Sequence, residues 1–319
     1  MAEDNLMAGD KASLLDPTFL RKLERLRIQA RRAFPGTMRG ERRSTRKGSS
    51  VEFSDFRKYE AGDDFRHVDW NIYARLERLV LRQFVEEEDV RIDILIDRSR
   101  SMHFGEPMTK FDFARRAAAA LAFLAASSLD RFGVTAFDSG VRKRLRPLRG
   151  RGHLLSVISF LENLAENGEG AEAKIEETKI EEANGTNLSG VLRAYQKRSL
   201  RPGIVFMISD FLDAGDFRAE MKMLAHRGFD LNLIQVLAPE EIAPEVVGDL
   251  LLVDSETGDE RELTANDRAM AAYRKALTFY TTELESFSRR NRIGYAQFTV
   301  EEAFEDLLLK NLVESRMAR

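Results

Sequence analysis

The sequence predicts an α/β protein built on a doubly wound, mostly parallel sheet with helices on both faces. Three observations predict it. From about Val90 to the C-terminus, short apolar runs rich in β-branched residues alternate with longer helical segments, as parallel strands joined by crossover helices do. The segments VRIDILI and GIVFMIS are rich in β-branched residues and contain apolar runs, which suits strands covered on both sides. Asp97 and Asp210 each stand just beyond such a run, at the carboxyl edge where open α/β sheets bind ligands.

Residues 1–15 are expected to be disordered. A helix is expected over 16–33, capped by Asp16, with Pro17 in its first turn and Leu20, Leu23 and Leu26 as a partial apolar stripe. Its other face carries Arg21, Lys22, Arg25, Arg27, Arg31 and Arg32, and the basic bias continues through Arg39, Arg42, Arg43, Arg46 and Lys47. Such a block is either a solvated face that pairs with the chain's own acidic runs or a site for phosphate or an acidic partner. Residues 16–88 form an N-terminal segment expected to pack on a main domain of residues 89–319. In that domain VRIDILI, FGVTAF, GIVFMIS, FDLNLIQVL and IGYAQFTV read as strands. FDFARRAAAALAFLAASSL, GHLLSVISFLENLA, TNLSGVLRAYQKR, FRAEMKMLAHRG, residues 266–290 and EEAFEDLLLKNLVES read as helices. Two segments interrupt the alternation. Residues 166–184 are acidic and low in complexity and read as a mobile insertion. LLVDSETGDERELT reads as a hairpin turning at Thr257-Gly258-Asp259.

Composition excludes several classes. With 319 residues and 43% hydrophobic content the chain can bury a sizeable core, as one large or two ordinary domains. The net charge of −3, from 50 basic and 53 acidic residues, does not mark a nucleic-acid binder. The absence of cysteine excludes disulfides, zinc–thiolate sites, iron–sulfur clusters and thiol catalysis, and fits a reducing compartment. The N-terminus lacks a basic region followed by an apolar one, so no signal peptide is expected. No apolar run approaches the roughly 20 residues of a membrane helix. A soluble, cytoplasmic protein is expected.

The chemistry-bearing residues lie at strand ends. Asp97, Ser99 and Ser101 follow the first apolar strand on alternate positions, Thr186 opens a helix, and Asp210 ends a later strand. Beyond a strand end the chain turns, so side chains two apart can converge on one point. Carboxylate and hydroxyl oxygens are the ligands of hard cations such as magnesium. The same residue types also cap helices and form turns, and Thr186 by itself is most simply an N-cap. The three fragments in this order resemble the metal-ion-dependent adhesion site of von Willebrand factor A-type domains. That resemblance implies a magnesium ion, or manganese or calcium, held by oxygen ligands only. In such a site the serine hydroxyls bind directly, the carboxylates often act through waters, and one position stays open for an acidic group of a partner.

A second resemblance covers about residues 33–213 and extends, more weakly, to the C-terminus. It rests on Arg43-Ser44, on G-x-x-V-E-F at Gly48–Phe53 and on Y-x-x-G-D-D at Tyr59–Asp64, with Gly62, Asp63 and Asp64. It also rests on V-D-W-N at Val68–Asn71, with Asp69, Trp70 and Asn71, on Ala74-Arg75, and on the Glu pair after Val85. These pieces are similar to the family called domain of unknown function 58, which pairs such a segment with a von Willebrand A-like domain. The resemblance implies a companion of MoxR-type AAA+ ATPases, acting chaperone-like in maturing a protein complex or inserting a metal. Many members carry membrane helices; this chain shows none. In the segment itself, Asp63, Asp64, His67 and Asp69 suggest a second metal cluster. The nearby Arg57, Arg66 and Arg75 instead favour a network of ion pairs and caps, with Trp70 and Phe65 able to pack. An exposed partner surface is the remaining reading.

The expected function is a metal-dependent protein-interaction adaptor rather than an enzyme, with a MoxR-type ATPase or an acidic client protein as partner. No G-x-x-x-x-G-K-[ST] is present, so no P-loop hydrolysis is expected. The alternative is a metal-dependent phosphoesterase. Against it, the chain has only His67, His103, His153 and His226, none in a metal-ligand spacing, and no G-x-S-x-G. His103 is its one plausible base. RNA binding through the basic N-terminal stretch lacks the usual aromatic interleaving.

Overall fold

The computed structural model describes residues 52–60, 62–85, 91–127, 130–165, 175–177, 186–198, 201–213, 215–255 and 258–301, and Arg21. The segments expected at 1–15, 16–33 and 39–47 and the final helix at 301–315 lie outside the described residues, apart from Arg21 and Glu301. The chain divides into two compact units, Phe34–Val90 and the remainder.

The smaller unit is a two-stranded antiparallel ribbon, β1 (Glu52–Lys58) on β2 (Val80–Val85), with helix α1 (Trp70–Leu76) between them in sequence. Asp69 starts α1 by accepting from the amides of Asn71 and Ile72. Glu77, at φ 51°, ends it in the left-handed region. Val68 and Leu81 are its buried apolar residues among those described.

The larger unit is built on a seven-stranded sheet. Its strands are β3 (Arg91–Asp97), β4 (Arg131–Phe137), β5 (Val141–Arg149), β6 (Ile175–Glu177), β7 (Ile204–Ser209), β8 (Asp230–Leu237) and, after the β9 (Gly248–Val253)–β10 (Glu260–Ala265) hairpin, β11 (Gly294–Thr299). The order across the sheet is β11-β8-β7-β3-β4-β5-β6. Pairings from β11 to β4 are parallel, whereas β5 and β6 are antiparallel. The helices are α2 (Lys110–Ser127), α3 (Leu154–Ala165), α4 (Leu188–Arg198), α5 (Arg218–His226), the single turn α6 (Pro239–Ile242) and α7 (Asp267–Arg290).

The sheet is covered on both faces because successive side chains of its strands point opposite ways. Leu95, Val205, Met207, Leu231 and Leu233 pack with Leu188, Val191, Leu192 and Tyr195 of α4, Met221 and Leu224 of α5, and Leu284 and Phe287 of α7. The other face is covered by α2, against β3, β4 and β8, with α3 packed on α2. The alanine run of α2, from Ala117 to Ala120, is wholly buried. Alanine is the strongest helix former, and its small side chain lets a helix lie close on a sheet.

Two strands differ from the expectation. VRKRLRPLR carries too many basic residues to read as a strand, yet it forms β5 along β4. Of the acidic insertion at 166–184, Ile175–Glu177 pair with Leu145, Arg144 and Lys143 of β5. The physical reason is that an edge strand's open backbone groups accept a further strand whatever its side chains.

Gly203 leads into β7 where an added Cβ would stand 2.5 Å from the Arg91 carbonyl oxygen. That atom is backbone and cannot swing aside. Gly203→Ala is therefore expected to cost about 1–3 kcal/mol, read as a lower denaturant midpoint with an unchanged m-value.

Candidate functional site

The strand order reverses at β3. The chain moves from β3 to β4 on one side and later returns to β7 on the other, and open α/β sheets bind ligands outside the strand ends at such a point. Asp97 closes β3, and Ser209 and Asp210 stand next to it because Ile96 pairs with Ile208.

Asp97 is fully buried. Its Oδ1 accepts from the Ser99 amide at 2.9 Å and its Oδ2 from the Ser209 hydroxyl at 2.6 Å. Among the described residues it has no ion-pair partner. Burial, and then the negative charge of Asp210, push its carboxyl up to about 7, against the hydrogen bonds from Ser209 and Ser99. This buried carboxylate favours a cation.

The hydroxyls of Ser99 and Ser101 lie 3.1 Å apart. Two neighbouring ligands of an octahedral magnesium ion, each about 2.1 Å from it, stand about 3 Å apart. The pair therefore has the spacing of adjacent cation ligands.

Thr186 comes to the same edge, but not as a helix cap. Asn187 caps α4, its Oδ1 accepting from the Gly190 amide at 2.7 Å. The Asn187 amide reaches the Asp138 carbonyl at 3.4 Å, just past β4, and the Leu188 amide reaches Asp213 Oδ2 at 2.8 Å, past β7. β3 runs between β4 and β7, and these two anchors hold the start of α4, which Thr186 immediately precedes, at the carboxyl edge of the sheet.

Asp210 is held differently. Its Oδ2 accepts from the Lys110 ammonium at 2.7 Å and its Oδ1 from the Leu212 amide at 3.1 Å. Lys110 is wholly buried and also donates to Glu241 Oε1 at 2.5 Å. Burial works to lower the lysine's pKa, but Asp210 and Glu241 outweigh it and hold the ammonium above its ordinary value. Glu241 Oε2 accepts from the Ala238 amide at 2.8 Å, and Tyr273 donates to the Glu241 carbonyl. The Asp210 carbonyl takes Gln235 Nε2 at 2.8 Å, and the carbonyl of Phe211, in the left-handed region at φ 57°, takes the Tyr280 hydroxyl.

Lys110, Ser209, Gln235 and Glu241 were missed from sequence. A lysine opening a helix reads as solvated surface; its one available signal was its place two residues beyond Pro107-Met108, at the start of a helix that carries a buried alanine run. Among the described residues no three His, Cys, Asp or Glu side chains form a metal-ligand group. A hard cation here therefore fits Asp97 with the hydroxyls of Ser99, Ser101 and Thr186, and Asp210 only in competition with an ammonium. His103 is exposed, its ring centroid 5.0 Å from that of Phe111.

In the smaller unit, Asp63 pairs with Arg57 at 2.7 Å and Asp64 with Arg66 at 2.7 Å, while Asp69 caps α1. The Arg66 hydrogen bonds hold Asp64 down at about 2. Gly62 adopts φ 106° with open space around it. Tyr59 stacks on Phe65 at 5.3 Å, and Trp70 meets Tyr73 edge-on at 6.1 Å. Trp70 and Phe65 remain more than half exposed rather than entering a core. Asn71 and Arg75 lie exposed on α1.

The family model described as "Protein of unknown function DUF58" matches residues 55–282, and the chain belongs to that family. It is 26% identical over 278 residues to uncharacterized proteins of Mycobacterium tuberculosis and Mycobacterium bovis, covering 85% of this chain and 82% of theirs. Its structure is similar to that of BatB, a conserved hypothetical protein from Bacteroides thetaiotaomicron (TM-score 0.42, 15% identity, 72% of this chain, 99% of that one). It is also similar to an aerotolerance-related membrane protein from Bacteroides fragilis carrying multiple mutations to serine (TM-score 0.40, 15% identity, 72% and 99%). The expected cytoplasmic location is corrected here. That neighbour is a membrane protein, and although no helix among the described residues is long and apolar enough to cross a membrane, this does not assign a compartment.

Asp97 binds its proton more tightly in the folded than in the unfolded chain. It therefore adds stability that is complete below the ordinary value of 3.8 and is lost as pH rises to about 7. In metal-free buffer Asp97→Asn is expected to gain on wild type by roughly 1–3 kcal/mol between about pH 4 and about pH 8. Denaturant midpoints of the two proteins across that range measure it, and a difference independent of pH would remove the buried charge from the argument.

Proposed function

We propose that this member of the DUF58 family is a metal-dependent protein-interaction adaptor with a von Willebrand A-like larger unit. A magnesium ion (or manganese or calcium) would bind at Asp97, Ser99, Ser101 and Thr186, with Asp210 beside it. The family resemblance suggests a MoxR-type AAA+ ATPase or its acidic client as partner, in chaperone-like maturation of a protein complex. The observation that carries this reading is the Ser99–Ser101 hydroxyl pair, 3.1 Å apart and bonded through Ser99 to a buried carboxylate, at the strand-order reversal. The ion would supply a Lewis-acidic position for a partner carboxylate. The protein's own groups orient the hydroxyls and keep the carboxylate dry.

Magnesium at about 100-fold its Kd is expected to raise the melting temperature of wild type by roughly 5–10 °C, and to leave Asp97→Ala unmoved. No shift in either protein would take the ion out of the mechanism. Capture of a MoxR-type ATPase is expected to need magnesium, to be lost in EDTA, and to fall at least about tenfold in Ser99→Ala with circular dichroism unchanged, as loss of one charge-assisted contact implies. Loss of the circular-dichroism signal in that variant would make Ser99 structural instead.

A further inference from the structure

We propose that Lys110 sets how tightly this edge holds a divalent cation, because its ammonium keeps Asp210 out of the ion's direct ligands and leaves the ion to Asp97 and the hydroxyls. The inference rests on the metal reading above.

The geometry is closed on every side. Lys110 is the first residue of α2 and is wholly buried, so its ammonium has no water to turn to. A cation at a helix N-terminus also faces the positive end of the helix dipole. It is held there against both penalties by two carboxylates, Asp210 at 2.7 Å and Glu241 at 2.5 Å. Each of those is pinned in turn: Asp210 by the Leu212 amide and Glu241 by the Ala238 amide. A divalent ion drawing directly on Asp210 would stand beside that ammonium, and like charges in a site closed to water repel strongly.

Charge balance agrees. With Asp97 ionised, as a bound cation would hold it, the carboxylates of Asp97, Asp210 and Glu241 against the one Lys110 ammonium leave two negative charges to be neutralised. A divalent ion does that, and Asp97 is the carboxylate that has no basic side chain among the described residues. Removing the ammonium while keeping the volume would release Asp210 to the ion.

The test is calorimetric titration of manganese chloride into wild type, Lys110→Met and Lys110→Gln at neutral pH, with cooperative thermal unfolding checked for each. The glutamine variant removes the charge but keeps a shorter N–H donor on the Asp210 side, so it guards against a methionine variant that fails to fold. Manganese is expected to bind at least tenfold more tightly to a folded neutral variant than to wild type. Binding by wild type with equal or weaker binding by the variants would overturn the role of Lys110 and leave the metal reading in place. Binding by the variants alone would uphold the role of Lys110 and overturn the metal reading for wild type. No binding by any of the three folded proteins would overturn both.

Discussion

The ammonium of Lys110 has no contact with water, and the carboxyl edge of the sheet is arranged around that fact. Moving an ion of this size out of water costs several kcal/mol even after the protein relaxes. That cost is tolerable only with well-placed opposite charges. Asp210 and Glu241 supply them, from the end of β7 and from the turn after β8. The lysine thereby ties the start of α2 to two loops that leave neighbouring strands. Removing one member of such a group leaves a buried charge unmatched, typically worth about 3–5 kcal/mol. The site and the packing around it are thus one electrostatic unit.

Asp97 sits in the same dry surroundings with a different solution. It has hydrogen bonds in place of an ion pair, from the Ser99 amide and the Ser209 hydroxyl. Two hydrogen bonds do not offset full burial next to Asp210, and its carboxyl is pushed up to about 7. The two aspartates, adjacent at the ends of neighbouring strands, therefore face opposite conditions. One has a cation within the fold, and the other, among the described residues, has only hydrogen-bond donors. A symmetrical reading of the pair from spacing alone gives them the same role.

Much of this fold was legible because burial on both faces leaves its mark in the sequence. Ile94–Ile96 of β3 and Ile204–Ile208 of β7 are unbroken apolar runs since neither face meets water, and the alanine run of α2 has no other good use than a buried helix. The strands at the β5–β6 edge were not legible, whereas β11 at the opposite edge was. β5 needs only one covered face, and Arg142, Lys143, Arg144 and Arg146 obscure its alternation. The site was legible as far as local geometry goes, since Asp97, Ser99 and Ser101 share one turn. Lys110 and Glu241 join it across 100 and 131 residues of chain, through contacts that no spacing rule encodes. Thr186 was readable as a strand-edge residue, but its capping role belongs to Asn187.

The backbone beyond β7 shows why the site draws on so much of the chain. The Asp210 carbonyl is held by Gln235 of β8, whose own side-chain oxygen accepts from the Tyr295 hydroxyl of β11 at 2.5 Å. The next carbonyl, at Phe211, is held by Tyr280 of α7, whose hydroxyl burial pushes up to about 12. At that value the phenol keeps its proton and remains a donor. Phe211 itself sits in the left-handed region, which a bulky side chain adopts only where its surroundings fix it. The turn that aims Asp210 at Lys110 is therefore set by residues from β8, α7 and β11. A carboxylate that must sit within 2.7 Å of a buried ammonium needs that degree of fixation, because a looser turn would leave both charges in the protein interior unmatched.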